Sequence, residues 1–175
     1  FKQQSDGAYA VWYDGAKLIS KVAADSLSFI DYKATNFYAS WVCLQSINEL
    51  SGFTVKTADK DYSFGIVYDD SEDAEETYVI TYNGKKLVAS DFQSFYQECI
   101  SLACSDYTVD KINAAPDMTF VFTYSDTSRA ATSVEFKKAS ETKYQYSIDG
   151  IDMGKINSSA LNKILKQVQK LTAEK

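Results

Sequence analysis

Two stretches of the chain follow one plan. Residues 77–102 read TYVITYNGKKLVASDFQSFYQECISL, and residues 143–171 read KYQYSIDGIDMGKINSSALNKILKQVQKL. In the first, Tyr78, Ile80 and Tyr82 share one face and Val79 and Thr81 the other, which is the period-two signature of a half-buried strand. Asn83-Gly84 follows, a dipeptide that accepts the positive φ values of a tight hairpin. KKLVA predicts a short return strand. Ser90-Asp91-Phe92-Gln93 reads as a capping box, in which the serine oxygen accepts from one orphan amide and the glutamine accepts from another. Apolar residues at 92, 95, 96, 99 and 102 then mark one face of a helix. In the second stretch Tyr144, Tyr146 and Ile148 alternate, Asp149-Gly150 supplies the turn, IDMGKI returns, and Asn157 or Ser158 offers a cap. Leu161, Ile164, Leu165, Val168 and Leu171 reproduce the helical intervals of the first stretch.

The plan extends backwards. FTVKTA and YSFGIVYD precede the first hairpin, and MTFVFTYS and TSVEFKKA precede the second. Phe64, Ile66 and Tyr68 form a row in one, and Phe120, Phe122 and Tyr124 in the other; such aromatic rows stabilise antiparallel neighbours. A meander alone buries too little surface to be stable, so a helix is expected to cover it. The expected fold is therefore α+β, built as tandem repeats of an antiparallel β-meander covered by one helix. Residues 51–106 form the first unit and 117–175 the second, with the boundary around CSDYTVDKINAAPD at 104–117. Residues 1–50 hold a partial copy and a linker. There YAVWYDGAKLISKVAADSLSF gives a strand, Asp14-Gly15, a return strand and Asp25 as a cap before Leu27, Phe29 and Ile30. WVCL in the linker predicts one further strand.

Composition bears on partners and chemistry. A chain of 175 residues is long enough to bury a core without staples. Its net charge is −6, Arg129 is its only arginine, and it has no histidine. Nucleic acid is not an expected partner, because binding it rests on cationic side chains neutralising phosphates. Anionic membrane surfaces are disfavoured on the same ground. Without histidine the usual general base and the commonest metal ligand are missing, and the histidine triads are excluded. Ser–Lys pairs and paired carboxylates remain open, but no feature selects one among 24 acidic residues. The seven glycines are scattered, and SIDGIDMGK is explained by its hairpin rather than by a phosphate loop. No catalytic residue, metal ligand or cofactor is assigned, and binding residues are unassigned.

Three further features carry a sharp and a plain reading. The run DDSEDAEE at 69–76 offers oxygen ligands for Ca²⁺. It lacks the order and glycine of an EF-hand, and it lies where a hairpin loop belongs, so a solvated, mobile acidic loop is expected. Cys43, Cys99 and Cys104 are odd in number and have neither zinc nor redox spacing; they read as small buried hydrophobes, with Cys99 and Cys104 on one helix. Trp12, Trp41 and most tyrosines fall on core positions of the strand period, whereas Tyr13 and Tyr38 do not. Solvent-facing members of this set would form a glycan-binding face. No window approaches the length of a transmembrane helix, and no signal peptide is recognised. FKQQSDGAYAVWYDG is expected to be a processed or truncated N-terminus.

In the order SLSFIDYKATNFYASWVCLQSINELSGFTVKT, DYSFGIV, TYVITYNGKKLVASDFQSFYQECISL and the second copy, nearly the whole chain resembles the bacterial DUF4340 domain family. The likeness lies in hydrophobic patterns, so it carries over no catalytic residue. It implies an extracytoplasmic protein, anchored through an N-terminal membrane segment outside this sequence, and a protein partner in a membrane-associated complex such as an ABC-type export system. On this basis the expected function is a non-enzymatic binding or scaffold module, with a cell-wall glycan-binding module as the alternative.

Overall fold

The computed structural model describes residues 2–3, 6, 8–11, 20–23, 40–72, 74 and 76–173. The chain divides into two units, 1–38 and 39–175. In the first, β1 (Lys2–Gln3), β2 (Tyr9–Val11) and β3 (Ser20–Val22) form an antiparallel sheet in that order. Asp14-Gly15 and the helix expected after Asp25 lie outside the described residues.

The second unit is α+β, as the sequence predicts: an eight-strand antiparallel sheet with two helices. Along the chain run β4 (Leu50–Thr57), β5 (Asp61–Tyr68), β6 (Tyr78–Tyr82), β7 (Lys85–Lys86) and α1 (Ala89–Ile100). Then come β8 (Met118–Tyr124), β9 (Thr132–Lys138), β10 (Lys143–Ile148), β11 (Ile151–Asn157) and α2 (Ser158–Leu171). The sheet order is β11-β10-β9-β8-β4-β5-β6-β7. The pair β4–β8 therefore lies at its middle, with Phe53 opposite Phe122 and Val55 opposite Phe120.

Local chemistry explains the turns and the core. Asn83 and Gly84 have φ of 50° and 74°, and Asp149 and Gly150 have φ of 48° and 82°, the left-handed pair that a two-residue hairpin demands. The apolar positions expected of α1, Phe92, Phe95, Tyr96 and Cys99, are all buried. Phe92 stands 4.9 Å from Phe64, and Tyr96 meets Phe53 edge-on at 5.3 Å, the tilted and edge-to-face geometries that aromatic quadrupoles favour. Leu161, Ile164 and Val168 of α2 join the same core, while Leu165 and Leu171 are half-buried at its margin.

Four local expectations are corrected. WVCL is not a strand: Trp41 makes a single bridge to Ala103, and the segment is tied to the chain after α1 by Val42 N to Leu102 O (2.8 Å) and Cys104 N to Ser40 O (2.7 Å). The return strand KKLVA shrinks to Lys85–Lys86, because Val88 already serves as the N-cap of α1. There is accordingly no capping box at Ser90: the amides of Asp91 and Phe92 both donate to the Val88 carbonyl (3.1 and 3.3 Å). Nor does Asn157 or Ser158 cap α2 with its side chain. Asn157 Oδ1 instead accepts from Lys143 Nζ at 2.8 Å, and the Ser158 hydroxyl donates to the Glu141 carbonyl at 3.1 Å. Finally, α1 ends at Ile100, so Cys104 lies beyond it, half-buried, rather than on the same helix as Cys99.

The segment that crosses between the two four-strand groups is held down firmly. It rounds the outer edge of β11, where the Ser105 amide donates to the Lys155 carbonyl (2.8 Å) and the Lys155 amide donates to the Asp106 carbonyl (2.7 Å). Beyond the edge, Gln145, only 2% exposed, accepts from the Asp110 amide at 2.7 Å and donates to the Asp110 carbonyl at 3.0 Å. Lys155 Nζ donates to the Asp110 carboxylate at 2.8 Å and to the Thr108 hydroxyl at 3.0 Å. Two buried polar side chains on the face opposite Tyr146 thus satisfy one another's surroundings, as buried polar groups must. This cover also blocks an edge that would otherwise invite further strands.

Buried acids set an alkaline limit. Burial pushes the Cys99 thiol well above its usual range and Cys43 upward. Burial, reinforced by Cys43 and Cys99, raises Tyr96, and burial with a hydrogen bond to Cys104 raises Tyr146. Below roughly pH 8.5 both folded and unfolded chains keep these protons. Above it the unfolded chain ionises first, and stability falls as the pH climbs through the cysteine and tyrosine ranges. The urea midpoint is expected to be level from neutrality to about pH 8.5 and to decline steadily above it; a level midpoint through the tyrosine range would contradict this account.

Candidate functional site

The strand period puts Tyr62 of β5 and Tyr82 of β6 on the face that packs against the helices, at the end of the sheet next to the Asn83-Gly84 turn. Lys60, just before β5, brings its Nζ to 5.1 Å from the Tyr62 ring centre and 5.8 Å from that of Tyr82, within reach of the cation–π attraction. The first turns of α1 supply Asp91, Ser94 and Phe95, and the last turns of α2 supply Gln167 and Lys170. Together with the hairpin these elements enclose a groove of about 890 Å³, a volume typical of ligand sites.

Two polar atoms in this lining stand out. Among the described residues, the Tyr82 hydroxyl and Gln167 Oε1 are buried without a hydrogen-bond partner, and Tyr82 as a whole is only 8% exposed. Leaving such a group unpaired costs about 1–3 kcal/mol. The charge is equally uneven. Lys60, Lys85, Lys86 and Lys170 line the groove against the single carboxylate Asp91, in a chain whose net charge is −6. A cleft of one sign raises the local concentration of ligands of the opposite sign.

The other features singled out by the sequence lie elsewhere. The acidic run 69–76 joins β5 to β6; its Glu76 pairs with Lys86 at 2.6 Å, and hydrogen bonds from Ser71 lower the Asp69 carboxyl. No group of potential metal ligands occurs among the described residues. Arg129 stacks on Tyr124, 3.5 Å from the ring centre, and donates to Glu49 at 2.7 Å and to Gln45 Oε1 at 3.2 Å. The Tyr124 and Tyr96 hydroxyls also donate to Gln45, at its Oε1 (2.9 Å) and its carbonyl (2.8 Å); this knot ties the segment before β4 to the core. Trp41 is 48% exposed, Tyr62, Tyr82, Tyr96, Tyr124 and Tyr146 are buried, and Trp12, Tyr13 and Tyr38 lie outside the described residues. No helix is long and apolar enough to cross a membrane among the described residues.

Sequence reasoning missed the groove because its walls come from residues more than a hundred positions apart, such as Lys60 and Lys170. Tyr82 was legible as a core residue, but nothing local marks its hydroxyl as unpartnered. No family model, no curated protein and no solved structure matches this chain.

Proposed function

We propose that this chain is a non-enzymatic, extracytoplasmic binding or scaffold module of a membrane-associated complex, an accessory of an ABC-type transport system, and that its groove is the binding site. The observation that carries the reading is the pair of unpartnered buried atoms, Tyr82 Oη and Gln167 Oε1, in a groove walled by both helices and the β6–β7 hairpin. A site that leaves both a donor and an acceptor unmet is completed by a ligand that offers their complements. The resemblance to the DUF4340 family supports the location and the partner. The architecture behind it is a tandem repeat, with each β-meander covered by its own helix and a partial copy before them. Supporting this are the matched positive-φ turns at 83–84 and 149–150, the central pairing of β4 with β8, and the contacts of α1 with β6 and of α2 with β11. The exposed Trp41 favours a second reading, a cell-wall glycan binder.

The test is photo-crosslinking in the native host from probes at Ser94 and Gln169 in the groove and at Ser63 and Thr123 on the sheet face turned away from the helices. Crosslinks to a membrane-complex subunit from the groove positions are expected. Crosslinks from Ser63 or Thr123 alone would overturn the assignment of the site. Recovery of cell-wall material alone would replace the scaffold reading with the glycan reading.

A further inference from the structure

Resting on the proposal that the groove is a binding site, we infer that it takes an acidic, extended peptide segment of a partner protein. Three observations point there. First, the lining carries Lys60, Lys85, Lys86 and Lys170 against Asp91 alone, and Lys86 already holds a carboxylate, that of Glu76, at 2.6 Å. Second, the unmet atoms are one hydroxyl, which donates, and one amide oxygen, which accepts. A peptide backbone supplies both complements, a carbonyl for Tyr82 and an N–H for Gln167. Third, Lys60 lies over the rings of both Tyr62 and Tyr82. Those faces are engaged by a cation and are not open for stacking a sugar, which separates this ligand from a glycan.

The test uses the whole chain and isothermal titration with three probes: a glutamate-rich peptide, its glutamine counterpart, and an oligogalacturonate of similar length and charge. The glutamate peptide is expected to bind at least about tenfold more tightly than the glutamine peptide, with the difference shrinking as salt rises. Tyr82→Phe is expected to weaken it roughly three- to tenfold through the lost hydrogen bond. The same variant should leave thermal stability unchanged or raised, because it removes an unpaired hydroxyl. Lys60→Gln combined with Lys170→Gln should erase most of the charge preference. Equal binding of the two peptides, or no binding of either, would overturn the inference. So would tighter binding of the oligogalacturonate, which would assign the groove to an acidic glycan. Groove crosslinks in the host together with no affinity for the glutamate peptide would sink this inference while leaving the binding-module reading intact.

Discussion

Phe53→Ala is expected to destabilise the protein by about 3–5 kcal/mol, the range for emptying a fully buried aromatic site. Phe53 is 0% exposed and lies in β4, at the middle of the sheet. Its ring meets Phe122 at 5.0 Å, Tyr96 at 5.3 Å, Phe120 at 5.6 Å and Phe95 at 6.2 Å. Those neighbours come from β8 and α1, two elements that are fixed by the sheet and by each other. The cavity therefore has little freedom to collapse, and the cost belongs at the upper part of the range. Against a typical total of about 5–15 kcal/mol such a loss removes a large share of the stability. Urea denaturation checks it. Phe53→Leu keeps most of the volume and should lose markedly less; a loss below about 1 kcal/mol for the alanine variant would mean that the site relaxes freely.

The second large effect is at the edge of β11. A Cβ added to Gly154 would stand 2.8 Å from the Asp106 carbonyl oxygen, 2.8 Å from Cys104 Sγ and 3.4 Å from the Tyr107 Cα. Two of these three atoms are backbone. The Asp106 carbonyl is also the one that accepts from the Lys155 amide at 2.7 Å, so it cannot retreat without breaking that bond. Gly154→Ala is expected to cost about 2–3 kcal/mol, within the range for overpacking, and to speed hydrogen exchange at the Ser105 and Lys155 amides. Gly65→Ala is the control. Its Cβ meets only Thr81 Oγ1, at 2.6 Å, and a threonine hydroxyl can leave by rotation about χ1. Replacing a strand glycine also recovers conformational entropy, of the order of 0.5–1 kcal/mol. Gly65→Ala should therefore cost less than half as much in urea denaturation. Equal losses would show that the crossing segment is not held where the contacts place it.

Both predictions turn on contacts that no local pattern announces. Gln145 and Ser147 sit where the alternation of β10 calls for solvent, yet both are buried, Gln145 because residue 110 crosses beneath it. The groove likewise joins Lys60 to Lys170, and the unpartnered state of the Tyr82 hydroxyl is a property of everything around it. The expected caps failed for a related reason. Ser90 sat one residue too far along, and Asn157 was drawn off by Lys143 from the neighbouring strand.

What the sequence by itself determined is the local grammar: two hairpin turns at Asn83-Gly84 and Asp149-Gly150, the strands beside them, and the inner faces of α1 and α2. These depend on φ preferences and on periodicities of two and 3.6 residues, which are written within a few positions of chain. Only the tertiary structure decided that β4 and β8 would meet in one sheet, that residues 105–110 would close the β11 edge, and that a cationic groove would form beside Tyr82. Strand partners and the neighbours of a buried hydroxyl are chosen by long-range complementarity of shape, charge and hydrogen bonding, which the order of residues in a short window does not express.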